Sequence, residues 1–247
     1  MKKNRINIIV LALFAVLLGV SCNKDYFEDT GIHDPNFKGN MMEYLDSKGK
    51  VERDIFDTLV QVIRYAGLEE TFKKDDFTFF APGDPCIQLA IRNLNVRLAS
   101  TGQDTITSFK SVKPIVWKEI LEMYMIPGTY SLIDFEQVDL ADIQSYGGRL
   151  YQTKNENELI NVGLVYHDLV NGDVTVKYGG ARQVLVSYIP DLNTNGGFWY
   201  STYVASSNIK PTNGIVHVLN YNAHILGFMY DNFTNKAIEN DIDYDND

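Results

Sequence analysis

Few residues in this chain have the type and spacing that catalysis requires. The four histidines, His33, His167, His217 and His224, are far apart, and none forms a His-x-x-x-His metal pair. There is no Gly-x-Ser-x-Gly, no P-loop and no Gly-x-Gly-x-x-Gly. A nucleophilic triad assembled from distant positions stays open, because triads are recognised by geometry and not by order. Of the two cysteines, Cys22 follows a long apolar run. Cys86 reads as a small buried hydrophobe on a helix, with a reactive thiol as the alternative. The better candidates for function are aromatic. Trp199, Tyr200 and Tyr203 follow the turn-rich segment 191–197. Such rings stack on sugars or anchor protein interfaces, although about half of them should face a core if the segment is a strand. The pattern predicts binding without catalysis, and no cofactor or metal.

The N-terminus reads as a targeting segment. Lys2, Lys3 and Arg5 precede the apolar run Ile8–Val20, which is shorter than the ~20 residues of a membrane-spanning helix. This is the build of a secretory signal peptide over 1–21. Leu18-Gly19-Val20-Ser21-Cys22 resembles a bacterial lipobox, with Gly19 where an aliphatic residue is usual. The resemblance implies lipid attachment at Cys22, against an ordinary signal peptide with a chance cysteine. Lys24 and Asp25, with Glu28 and Asp29 behind them, resemble the short signal that sends Bacteroidetes lipoproteins to the cell surface. The alternative is a solvated charged tether. Residues 22–40 are expected as that tether.

Length and charge bound the rest. The 247 residues suit one large domain or two small ones, and 45% hydrophobic content is enough for a core. Removing 1–21 takes three of the 22 basic residues and none of the 32 acidic ones, so 19 − 32 leaves a net charge of −13. That argues against nucleic acid and against adsorption to anionic membrane. Any membrane link must come through the lipid.

The elements that would position these residues follow from periodicity. Asp54–Ala66 carries a helical stripe of Ile55, Leu59, Val62 and Ile63, with Asp54 as N-cap and Gly67 just past the end. Phe77–Ala81 is a short strand running into Pro82-Gly83-Asp84-Pro85, where Asp84 is placed to cap the next helix. Segment 96–113 is polar and reads as an insertion loop. Ile115–Met125 is helical again. Beyond residue 130 the period becomes two. Leu150–Thr153, Leu159–Val170, Val174–Tyr178, Gln183–Ile189 and Phe198–Ser207 are strands between Gly- and Asn-rich turns. Helices first and strands afterwards indicate an α+β domain. Asn213-Gly214 is a turn leading into Ile215–Leu219, a strand apolar on both faces except for His217, which would need a buried partner. Residues 231–247 are expected as an acidic, flexible tail. Its alternating Asp241, Asp243, Asp245 and Asp247 only faintly resemble a calcium loop.

Two motifs carry a family resemblance. Asn213-Gly214-Ile215-Val216-His217-Val218-Leu219-Asn220 resembles the closing motif of the fasciclin domain, Asn-Gly-x-Val-His-Val-x-Asp. Thr78-Phe79-Phe80-Ala81-Pro82 followed by Asp84 resembles its opening motif, Thr-Val-Phe-Ala-Pro-Thr-(Asn/Asp). Gly147-Gly148 before Leu150 is similar to the family's Gly-x-x-Leu strand. Where members often have Tyr-His-Val-Val-Pro-Gly, this chain has Met123-Tyr124-Met125-Ile126-Pro127-Gly128. The Tyr-His pair that serves receptor binding in animal members is therefore missing. The resemblance implies one fasciclin domain over 41–230, with N-terminal helices packed on a twisted, mainly antiparallel sheet, and with Asn213, Gly214 and His217 as its fold motif. It also implies a non-catalytic adhesion or interaction module. With the signal peptide, it suggests an outer-membrane lipoprotein facing the exterior and serving a SusC/SusD-type nutrient importer. The alternative is a surface glycan-binding protein using the aromatics. Asp104-Thr105-Ile106 resembles the O-glycosylation signal of Bacteroidetes exported proteins, which makes Thr105 a candidate acceptor.

Overall fold

A computed structural model describes residues 35–48, 55–191 and 199–246. Cys22, Lys24, Asp25, Asp54 and most of the 191–197 turn lie outside those residues.

The helices are α1 (Met41–Lys48), α2 (Asp57–Tyr65), α3 (Glu69–Lys74), α4 (Asp84–Ser100), α5 (Pro114–Glu122) and α6 (Asn232–Glu239). The strands are β1 (Phe77–Ala81), β2 (Met125–Pro127), β3 (Arg149–Gln152), β4 (Leu159–Tyr166), β5 (Leu169–Asn171), β6 (Val174–Val176), β7 (Arg182–Tyr188), β8 (Tyr200–Ile209) and β9 (Gly214–Leu219). Seven strands form one sheet in the order β2-β1-β9-β8-β7-β4-β3, antiparallel throughout except for the parallel β1–β9 pair. β5 and β6 form a separate two-stranded hairpin.

The centre of the sheet is where the two family-like motifs meet. All five residues of β1 are buried, as are five of the six in β9. β1 packs its aromatic rings on α3, with Phe72 set edge-on 5.2 Å from Phe77 and 4.9 Å from Phe79. α2 buries Leu59, Val60, Val62 and Ile63 and ends at Gly67, whose φ of +73° suits glycine at that position.

Four expectations need correction. Asp84 does not cap its own helix. Its two carboxylate oxygens accept from the Thr58 and Leu59 N–H groups, each at 2.9 Å, and so cap α2, which lies earlier in the chain. The cap is a tertiary contact, so sequence neighbours could not reveal it. The 96–113 segment is not all loop: α4 runs to Ser100, because Leu94 and Leu98 continue its buried stripe. The 159–170 strand is two strands, broken at His167-Asp168, where the hairpin leaves the sheet. Finally, 231–247 is not simply a solvated tail. α6 buries Phe233, Thr234 and Ala237. Phe233 lies 4.7 Å from the Trp117 ring, and the Lys236 amine meets the Glu119 carboxylate at 2.8 Å.

Candidate functional site

The fold-motif residues form a buried polar knot rather than a surface site. The Asn213 side chain accepts from the Met41 N–H at 2.7 Å and donates to the carbonyls of Phe72 and Asp75, both at 3.0 Å. One amide thus ties α1 and the end of α3 to the start of β9. Gly214 has φ +137°, and a Cβ there would collide with the Phe77 carbonyl oxygen of β1. His217 is fully buried. Its Nδ1 accepts from the Asn208 N–H at 3.4 Å, which leaves Nε2–H to donate to the Tyr130 carbonyl at 2.9 Å. Its ring stacks on Phe80 at 5.4 Å. Burial lowers its pKa to about 4, with the Tyr130 carbonyl pulling weakly the other way, so the ring is neutral and structural.

A second buried knot lies beside α5. Tyr124 accepts from the Gly227 N–H at 2.7 Å and donates to His224 Nε2 at 2.7 Å. Burial takes the His224 pKa down to about 3. The Cys86 thiol is buried, and burial pushes its pKa up to about 12. It is no nucleophile at neutral pH. Among the described residues, no three His, Cys, Asp or Glu side chains gather to hold a metal ion.

The aromatic candidates sit on β8, the middle strand of the seven, and on the residue before it. Tyr200 and Tyr203 are exposed and Trp199 is half-buried. They do not make one continuous aromatic face. Tyr200 and Tyr203 are three apart on a regular stretch of β8, so they point to opposite sides. Tyr200 pairs with Tyr188 across the strands, and Tyr203 pairs with Leu185. Tyr203 lies 6.3 Å from the His167 ring. His167 in turn lines a groove of about 240 Å³ with Arg182, Gln183, Ala205, Ser207 and Leu132. Gln183 donates to the Val204 carbonyl at 2.9 Å, so its Oε1 is the acceptor facing His167 Nε2 at 3.3 Å. The Arg182 guanidinium stacks on Tyr166 at 4.5 Å. Sequence reasoning missed His167 and Arg182. His167 sits at the strand break that the 159–170 pattern bridges, and Arg182 opens β7 opposite Tyr166.

A cleft of about 360 Å³ is lined by charged groups, including Lys118, Glu119, Glu122, Lys154 and Lys236. Burial raises the Glu122 pKa, against the pull of Lys118 and Lys154. The amines there pair with carboxylates: Lys154 with Asp75 at 2.6 Å, Lys236 with Glu119 at 2.8 Å and Lys118 with Glu122 at 3.9 Å. This is an ion-pair network with no cysteine, serine or histidine in its lining.

Thr105 is exposed on a pinned loop. The Asn95 side chain grips Ile106 through both backbone groups, at 2.7 and 2.8 Å, and Ile106 itself is buried. Thr58, in Asp57-Thr58-Leu59, a tripeptide of the same pattern, is half-buried on α2.

The helices, the curled and mostly antiparallel sheet, and the parallel β1–β9 pair that joins the two motifs agree with a family-model match. The fasciclin domain model covers residues 54–222. The chain belongs to the fasciclin family. No curated protein matches it in sequence. Among solved structures, it is similar to a FAS1 domain pair from the insect cell adhesion molecule fasciclin I. That likeness has 16% identity and a TM-score of 0.39, over 73% of this chain and 47% of the other. The chain thus spans about half the length of that structure. Fasciclin domains are generally adhesion-type modules and not catalysts.

Proposed function

We propose that this fasciclin chain is a non-catalytic binding module displayed at the cell surface. It is held to the outer membrane by lipid on Cys22 and exported under Lys24 and Asp25. Its partner is an outer-membrane protein assembly of the SusC/SusD importer type, to which it serves as an accessory subunit. The observation that carries this reading is the division of the molecule. Its two buried histidines and its remaining thiol are locked in structural contacts, while exposed Tyr203 stands beside His167, which lines a groove with Arg182. Thr105 would be an accessible glycan acceptor on its pinned loop.

The test is fractionation of cells expressing the wild type and Cys22→Ser. The wild type should sit in the outer membrane, carry acyl chains by mass spectrometry and copurify with an importer-type assembly. The Cys22→Ser variant should leave that membrane. Retention of the variant, with no acyl chain on the wild type, would overturn the anchor. A second reading, glycan binding, is favoured by one feature: a tyrosine and a histidine ring stand beside a groove whose lining includes Arg182, Gln183 and Ser207. Specific binding of a purified polysaccharide, with no membrane partner recovered, would put that reading first.

A further inference from the structure

The groove beside His167 exists because two neighbouring strands part. The β7–β8 ladder runs from Tyr188–Tyr200 to Leu185–Tyr203 and stops, while β7 continues to Arg182 and β8 to Ile209. Arg182 and Gln183 line one side of the opening, and Ala205 and Ser207 the other. Gln183 bridges part of the gap. Its amide N–H donates to the Val204 carbonyl, which turns its Oε1 to the His167 Nε2–H. His167 is thereby held in one tautomer, with Nδ1 left as an acceptor. The Arg182 guanidinium lays one face on the Tyr166 ring. Among the described residues, no carboxylate pairs with that guanidinium, and no side chain bonds His167 Nδ1 or the Ser207 hydroxyl.

Charge sets this groove apart. The chain has 32 acidic residues against 22 basic ones, yet no residue lining the groove is acidic. Asp168, next to His167, spends its carboxylate on the Tyr178 N–H at 2.8 Å. The cleft around Lys118 and Lys154 is the opposite case, because its amines are neutralised by carboxylates. A guanidinium left without a counter-charge in an acidic protein is matched by one negative charge from outside.

Resting on the glycan-binding reading, we infer that the groove takes a carboxylate-bearing sugar of an acidic glycan. Arg182 holds the carboxylate, whose planar shape fits the guanidinium fork. His167 Nδ1 accepts from one ring hydroxyl, and the Ser207 hydroxyl bonds another. The Tyr203 ring, beside His167, covers the apolar face of the sugar. The groove, about 240 Å³, is smaller than the ~300–1,000 Å³ of drug-sized sites. It therefore holds one sugar ring and leaves the rest of the glycan outside.

The test is calorimetric titration of the full-length, detergent-solubilised chain with oligosaccharides of galacturonate, mannuronate and glucuronate, and with their methyl esters. At least one acid should bind. Its ester keeps the ring and the hydroxyls but loses the charge, and should bind at least tenfold more weakly. Arg182→Gln should cut acid binding at least tenfold while leaving ester binding and the melting temperature unchanged. Ser207→Ala should weaken acid and ester alike. Lys74→Gln, which removes the same charge on α3, should change nothing. Equal loss of acid binding in Lys74→Gln would show diffuse attraction and overturn the assignment. Esters or neutral oligosaccharides bound as well as the acids, with Arg182→Gln silent, would overturn it too, while leaving the glycan reading standing. No binding of any sugar, acidic or neutral, would remove both.

Discussion

The β1–β9 pair and the exposed residues of β8 are built on opposite principles. Around β1 and β9 the buried polar side chains are tied to distant segments: Asn213 holds α1 and α3, and His217 holds the 130 loop. On β8 and along the β5–β6 hairpin, tyrosine rings and aliphatic side chains are left exposed. Burial makes the first region intolerant, because an unpaired polar group or an added atom there has nowhere to go. Exposure makes the second free to vary without unfolding the domain. The sharpest sequence motif therefore marks the part of the molecule least able to meet a ligand.

The largest effect that would test this contrast is Gly214→Val. Its φ is one that side-chain-bearing residues rarely adopt, and the new Cβ would strike the backbone of β1, which cannot move without breaking the β1–β9 ladder. The expected loss is about 3 kcal/mol or more, beyond the usual range for single changes, read as a fall in the denaturant midpoint. An unchanged midpoint would sink the assignment of this turn. Acid comes next. His217 and His224 are held neutral in the fold, with pKa values lowered to about 4 and about 3, against about 6.5 unfolded. Below pH 6.5 the unfolded chain binds protons that the folded chain refuses. The stability contributed by the neutral rings is present above that pH and is lost as pH falls from 6.5 toward 4, at up to about 1.4 kcal/mol per pH unit for each ring. Urea midpoints measured across that window should drop with pH. The same series on His217→Gln should show a shallower slope, and an identical slope would show that His217 does not titrate as described.

Much of the β1–β9 region was legible because its sequence signals are local even though its contacts are not. Asn213-Gly214 announces a turn, and an apolar strand interrupted by one histidine announces a buried partner. What escaped the sequence was every constraint made by distant residues. Asp84 looks like the cap of the helix it begins, yet it caps α2 because the 82–85 turn carries its carboxylate there. Phe233 and Ala237 are too few to mark a helix in an acidic stretch, and Phe233 finds its packing on the distant Trp117 ring. At the exposed end, the strand break at His167-Asp168 was hidden by the apolar residues on either side. The same break supplies both the hairpin and the groove.

The smallest stability effect belongs to Tyr203, and it is the one that decides whether the exposed face of β8 is a working surface. Tyr203 is 36% exposed. It faces away from Thr202 and Val204, which point to the core. Its ring contact is to His167 at 6.3 Å. Tyr203→Ala should therefore shift stability by no more than about 0.5 kcal/mol, the range of surface substitutions. A ring that anchors a ligand or partner would cost about 2 kcal/mol of binding when truncated, roughly thirtyfold in affinity. The two readouts separate the roles: an unaltered melting temperature with lost binding makes the ring a contact. A large fall in melting temperature would instead make Tyr203 part of the fold and erase the contrast at that residue. Tyr200 provides the internal control, because it points to the opposite side of β8 and pairs with Tyr188. If Tyr200→Ala weakens binding as much as Tyr203→Ala does, the partner must wrap the end of the strand and not rest on one face.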